Sequence, residues 1–298
     1  MSLGALAAVA RAPFLLLPVT LVAVGATAAA CDGGFSWRRT IVALVGLVAL
    51  HVAVNAFNEA SDFRTGIDLE TRRTPFSGGS GTLPAGALSP AAAVALAVVG
   101  SSIGLVTGIW FLFLVGPPLM PILLLGAVAT LAYTEFLARY YVGELFAGLG
   151  LGALPVLGVA LVQAGSFGTT AVLAAVPAFL MTFNLLLLNE FPDEAADRAG
   201  GRRNLVLLLG RPGAARLYAA CALAVPAVIL AGVLARLLPL AALVGLLPSL
   251  LLVAPLRWAF RRPAEEVPVP ALGANVGWIL FTNTLLAVGL GFGSVAAG

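Results

Sequence analysis

The sequence predicts an all-α, polytopic membrane protein of about nine transmembrane helices. Three observations predict it. Of 298 residues, 61% are hydrophobic and 10% charged, and the mean hydropathy is +1.07. Soluble domains carry about 25% charged residues, so this chain cannot clothe a globular surface in polar groups. Second, the apolar residues gather into runs of spanning length, at 12–31, 40–61, 89–115, 119–135, 142–163, 169–191, 214–235, 238–256 and 271–295. Third, the cations are asymmetric. With the N-terminus inside, thirteen Arg fall in inner segments and Arg38, Arg39 and Arg236 in outer ones, which satisfies the positive-inside rule. The composition also excludes disorder. A net charge of +3 spread over a membrane protein gives no reason to expect nucleic acid.

The elements follow in order. Span 12–31 starts after Arg11 and ends at Cys31. Arg11, the apolar stretch and Ala28-Ala29-Ala30-Cys31 also suit a signal peptide with a lipoprotein-like cleavage site. The rest of the chain is itself polytopic and the Arg asymmetry works with this helix retained, so it is read as a span. Span 40–61 runs into an acidic cluster. Spans 89–115 and 119–135 are parted by Gly116-Pro117-Pro118, a strong breaker. Span 142–163 carries Gly148-x-Gly150-x-Gly152, which permits close helix approach and reads as packing. Span 169–191 ends at Pro192, which cannot donate to the helix ladder, so a kink or restart is expected. The last three spans are predominantly apolar. Cys31 lies at the outer end of the first and Cys221 in the inner half of the seventh, too far apart to bond.

The scarce charges carry the chemistry. At about 100° per residue, His51, Asn55, Asn58 and Asp62 fall within a stripe roughly 60° wide. In lipid such a stripe must face the bundle interior or a wet cavity. Asn189, Asp193 and Asp197 recur every four residues and stack on one face in the same way. Both clusters close inner ends of spans, and of thirteen acidic residues only Asp32 sits in an outer loop. Clustered carboxylates repel unless a cation lies between them. Asn and Asp oxygens without nearby Cys are hard ligands suited to Mg2+, which is usually shared with phosphate oxygens. Arg72, Arg73, Arg139, Arg202 and Arg203 would supply planar donors to those oxygens. The implied substrate is a diphosphate at the inner face with a lipidic tail in the bundle. The inner loop 62–88, rich in Gly, Ser, Thr and Pro, is a linker or a lid over that site.

These motifs bring the chain to a known family. Asn58-x-x-x-Asp62-x-x-x-Gly66-x-Asp68 resembles the first Asp-rich motif of the UbiA superfamily of intramembrane prenyltransferases, in the form found in 1,4-dihydroxy-2-naphthoate prenyltransferases. The stretch from Asn189 to Arg203, followed by Asn204, resembles the second motif and its Gly-basic turn. Tyr133-Thr134, Arg139-Tyr140 and Gly143-Glu144 match more weakly, and the family often has Lys near the Arg139 position.

The resemblance implies a UbiA-like bundle forming one transmembrane prenyltransferase domain over 1–298. It implies Asn58, Asp62, Asp193 and Asp197 as catalytic residues. Asn58, Asp62, Asp68, Asn189, Asp193 and Asp197 would hold Mg2+, and the five Arg would bind diphosphate. The implied reaction joins a polyprenyl diphosphate to a small aromatic acceptor, 1,4-dihydroxy-2-naphthoate, in menaquinone synthesis. The protein would sit in the cytoplasmic membrane of a bacterium, with the lipid bilayer as partner and the site on the cytoplasmic face. Other acceptors in the superfamily are hydroxybenzoate, homogentisate, chlorophyll-type rings and glycerol phosphate lipids. A transporter would more often place its polar site at the midplane. The Asp-Gly-x-x-Ala-Arg core of CDP-alcohol phosphotransferases is absent.

Overall fold

Apolar segments of this length can satisfy their backbone in lipid only as helices or closed barrels, and here they are helices. The computed structural model describes residues 2–70, 73–133 and 135–297. Helix α1 (Leu3–Val9) is capped by Ser2, whose hydroxyl accepts from the Ala5 amide at 3.2 Å. The chain turns at Arg11 (φ 51) into a short 3-10 helix and then α2 (Leu16–Cys31). Ser36 caps α3 (Trp37–Thr65), which runs unbroken through the first polar stripe. Gly66, at φ 82, ends it in the left-handed conformation, where a side chain would be strained. The turn leads into α4 (Ile67–Glu70).

Ser89 caps α5 (Pro90–Val115), and α6 (Met120–Leu131) follows the Pro117-Pro118 turn. Helices α7 (Gly143–Gly148) and α8 (Leu154–Ala164) are joined through a π-helical turn, so together they make one span. Helix α9 (Thr169–Ala199) and α10 (Leu205–Leu234) carry the second motif between them. A 3-10 segment, Leu240–Leu252, leads into α11 (Val253–Arg261), and α12 (Val269–Ala297) is last. Among the described residues, eight helices are long and apolar enough to cross a membrane, and Pro117–Leu131 is a shorter apolar ninth. That agrees with about nine spans.

Three boundaries differ from the sequence reading. Helix α9 does not break at Pro192 but continues to Ala199; in membrane helices neighbouring groups re-satisfy the freed carbonyl. Helix α3 likewise runs past residue 61 to Thr65. Helix α10 starts at Leu205 because Asn204 caps it, its side chain accepting from the Leu207 amide at 2.9 Å. Its real discontinuity is Gly210 (φ 67, ψ 160).

Helix α2 packs among α8, α9 and α12, while α5 lies along α3. The buried core includes Leu21, Met181, Leu187, Ile229 and Trp278. Two bonds tie polar groups across helices within it. Asn184 donates to the Tyr218 carbonyl at 3.0 Å, and the Tyr218 hydroxyl donates to Asn275 at 2.8 Å. Leu105, Phe113, Leu234 and Val295 remain largely exposed, as surfaces meeting lipid tails must be. Cys31 and Cys221 are free.

Candidate active site

The two Asp-rich helix ends meet. On α3, Asn58 donates to Asp62 Oδ2 at 2.8 Å. From the turn after α9, Arg202 donates to Asn58 Oδ1 at 2.7 Å and forms a close ion pair with Asp62 Oδ1. Its other terminal nitrogen lies 3.6 Å from Asp197 Oδ1 on α9. One guanidinium therefore bridges both motifs. Its position is fixed locally: Gly201 (φ 78) turns the chain, and the Arg202 amide returns to the Asp197 carbonyl at 2.9 Å. Asn204, the cap of α10, also donates to Asp197 Oδ2 at 2.9 Å.

Asp68 reaches this place because the Gly66 turn folds α4 back beside α3 and α9. Its carboxylate lies against Gly79 (φ 69), where a Cβ would collide with it. The loop 74–82 is thereby laid over the site. It is tied down by Glu59, which is 1% exposed and accepts from the Ser80 amide at 3.0 and 3.1 Å and from the Ser80 hydroxyl. Thr74 and Ser77 close the loop's first turn, their side-chain oxygens 2.9 Å apart. Phe76, Ser77, Gly78 and Gly79 line the cavity beneath. The lid reading of this loop, not the linker reading, fits that placement.

The cavity has a volume of about 170 Å³. Asn58, Asp62, Asp68, Asn189, Asp193 and Asp197 all line it. The six oxygen-bearing side chains singled out in the sequence are thus brought together. The arginines divide differently. Arg202 lines the cavity, whereas Arg73, Arg139 and Arg203 do not. Arg73 lies against Gly81 and donates to the Asp68 carbonyl at 3.3 Å. Arg203 points to the exterior, its backbone paired with Ala138 and Tyr141. Arg72 lies outside the described residues, as does Thr134.

Four residues beyond the sequence-derived site set belong here, of which Tyr133 and Glu144 figured in the sequence only as part of the weaker family match. Arg11 lines the cavity, delivered by the left-handed turn after α1. Tyr133 and Glu190 line it too. Glu144, fully buried, accepts from the Leu205 amide at 2.6 Å and anchors the start of α10. An acid in an apolar helix always needs a partner, and that signal alone could have marked Glu144 and Glu190.

The electrostatics suit a cation. Asp68 Oδ2, Asp193 Oδ1 and Asp197 Oδ1 are buried without a hydrogen-bond partner. Burial, then the charges of Asp62 and Glu59, push the Asp68 carboxyl up to about 7. Burial opposes the Arg202 charge, but Asp62 and Asp197 outweigh it and hold the guanidinium above its ordinary range. Unmet carboxylate and amide oxygens are donors of the type Mg2+ takes. Among the described residues, no three His, Cys, Asp or Glu side chains close into a ready cage.

A second chamber of about 410 Å³ adjoins the first. Leu50, Phe111, Leu119, Leu123 and Leu154 are among its apolar walls. His51 and Leu151 line both spaces.

Comparison with known proteins agrees with this geometry. The sequence profile of the UbiA prenyltransferase family matches residues 16–285. A 1,4-dihydroxy-2-naphthoate octaprenyltransferase of Bacillus subtilis (strain 168) is 30% identical over 180 residues, 57% of this chain and 55% of that one. The chain thus spans about half the length of that relative. The enzyme of the same name in Escherichia coli (strain K12) is 28% identical over 94% of this chain and 92% of its own. The apo UbiA homolog from Aeropyrum pernix K1 has the same fold, with a TM-score of 0.72 at 22% identity, covering 93% of this chain and 98% of that one. A UbiA homolog from Archaeoglobus fulgidus bound to GPP and Mg2+ gives 0.63 at 15% identity, over 95% and 99%. With its two Asp-rich helix ends facing one cavity, the chain belongs to the UbiA prenyltransferase family.

Proposed function

We propose that this protein transfers the prenyl group of a polyprenyl diphosphate to 1,4-dihydroxy-2-naphthoate, with Mg2+ required, as a step of menaquinone synthesis. The observation that carries the reading is the convergence of Asn58, Asp62 and Asp68 with Asn189, Asp193 and Asp197 around Arg202, next to an apolar chamber. The relatives' names support the acceptor, and the ligands of the Archaeoglobus fulgidus homolog support a prenyl diphosphate with Mg2+.

In this reading the six oxygen-bearing side chains hold Mg2+, which when bound supplies Lewis-acid stabilisation of the leaving diphosphate. Arg202 and Arg11 turn their charge on the diphosphate oxygens, and Tyr133 offers a hydroxyl. The loop bearing Phe76 to Gly79 covers the diphosphate and keeps water from the ionising carbon. The apolar chamber holds the tail. As the C1–O bond breaks, its electron pair leaves with diphosphate. An electron-rich ring carbon then attacks C1, and its carboxylate departs as CO2. The basic residues of the inner segments support a site at the cytoplasmic face of the membrane.

The test is direct. Membranes containing the protein, given a polyprenyl diphosphate and a panel of hydroxybenzoate, homogentisate and 1,4-dihydroxy-2-naphthoate, should yield prenylated naphthalene by mass spectrometry. Product with another acceptor alone would replace the naphthoate assignment. No product with any aromatic acceptor would remove the reading.

A further inference from the structure

Of the α3 polar stripe, His51 and Asn55 are used by neither the metal nor the diphosphate. His51 is buried, at 6% exposure. Its Nδ1 lies 2.9 Å from the Leu47 carbonyl oxygen. A carbonyl can only accept, so Nδ1 carries the proton, and in the neutral ring Nε2 is left with a lone pair and no hydrogen. That Nε2 is buried without a partner. Buried acceptors are seldom left unmet without reason. Asn55, one turn nearer the site, by contrast has a partner, donating to the Ala10 carbonyl at 3.0 Å.

The position supplies the reason. His51 lines both the polar cavity and the apolar chamber. It lies seven residues before Asn58 on the same face, roughly 10 Å deeper along the helix. A prenyl diphosphate with its head at the Asp motifs and its tail in the chamber must pass this junction. Its reactive carbon is the first atom beyond the diphosphate, so the ring that attacks it must also lie near the junction. Of the chamber's other polar side chains, Ser102, Thr107 and Thr130 donate to carbonyls of their own helices, and Ser101 on α5 is a further buried hydroxyl without a partner.

We infer that His51 Nε2 accepts a hydrogen bond from a ring hydroxyl of the aromatic acceptor and so sets which hydroxylated rings are held beside the reactive carbon. This rests on the acceptor class proposed above. A site built to bond a hydroxyl rejects the analogue lacking it far more strongly than a merely apolar pocket does.

The experiment uses the full-length protein in lipid nanodiscs, with 1,4-dihydroxy-2-naphthoate and its two monomethyl ethers as probes. Wild type should use one ether at least about tenfold less well than the parent. His51→Leu should raise the acceptor KM by a similar factor, leave the KM of the prenyl diphosphate unchanged, and lose the discrimination between parent and ether. His51→Gln, which keeps an acceptor oxygen, should recover part of it. Acceptor-induced thermal stabilisation of the protein without metal should fall in His51→Leu and return in His51→Gln. Equal use of both ethers and the parent by wild type would overturn the inference without any variant. So would an unchanged acceptor KM in His51→Leu, or equal losses for both substrates, which mark a packing role. Absence of product with every hydroxylated aromatic in wild type would instead remove the acceptor reading, and His51's role with it.

Discussion

Replacing Arg202 by Met keeps most of the side-chain volume and deletes the charge that joins the two motifs. Its side chain is 18% exposed, against 8% for Asp62 and 2% for Asp197. At the 3.6 Å separation from Asp197, an effective dielectric of ~20 gives an attraction of about 5 kcal/mol before desolvation is subtracted. Desolvation consumes much of that, but removing one partner strands the others. The net cost of breaking a buried pair is about 3–5 kcal/mol. At about 2 °C per kcal/mol for a chain of this size, metal-free Arg202→Met should melt on the order of 6–10 °C lower. Mg2+ alone can replace the missing positive charge between the carboxylates, so it should raise the melting temperature of the variant more than that of wild type. A thermal-shift series in detergent, with and without Mg2+, reads this out. Equal melting of the two metal-free proteins, or a smaller gain in the variant, would refute the claim that Arg202 is the internal counter-ion of both motifs.

Other predictions follow from the same geometry. Asp193→Asn should lower prenyl transfer by about 10³-fold or more while the protein still inserts, because an oxygen-rich charge-stabilising group is lost; product formation and membrane yield check it, and full activity would take Asp193 out of the site. The Asp68 carboxyl, raised to about 7, holds a proton below that pH which Mg2+ must displace. Metal affinity measured by calorimetry should therefore weaken as pH falls from 8 to 6, by up to about tenfold per unit below the pKa, and this slope should flatten in Asp68→Asn. Glu59→Ala should release the loop over the cavity, so hydrogen exchange at Ser80 and Thr82 should quicken while the α9 amides stay protected. Ala85, exposed on the loop before α5, should when replaced by Cys resist an impermeant label added outside intact cells; ready labelling would invert the proposed orientation.

The apolar spans and the oxygen-bearing stripes were legible because each depends on local periodicity. Asn58 and Asp62 share a face through the helical repeat alone, as do Asn189, Asp193 and Asp197. Even the Gly66-x-Asp68 spacing has a local cause, since Gly66 supplies the left-handed turn that returns Asp68 to the site. The arginines were not legible in this way. Whether a guanidinium meets the cavity depends on which turn carries it and what packs around it. Gly201 turns Arg202 inward, while Arg203, the next residue, faces out. Arg11 had counted only towards topology because its approach depends on the corner after α1. Glu190 lies about 20° from Asp197 on the same broad face of α9, but the four-residue repeat of Asn189, Asp193 and Asp197 does not pick it out. Pro192 misled because the rule that proline breaks helices is weaker where neighbouring helices can satisfy the freed carbonyl.

In the proposed reaction α3 and α9 hold one metal–diphosphate site between them. Electron paramagnetic resonance of Mn2+, used in place of Mg2+, tests it on the purified protein with and without a non-reactive prenyl thiodiphosphate. The account predicts that the analogue tightens Mn2+ binding and that Asp62→Asn and Asp193→Asn, on opposite helices, each abolish that tightening. Tightening that survives in either variant, or Mn2+ binding indifferent to the analogue, would contradict it.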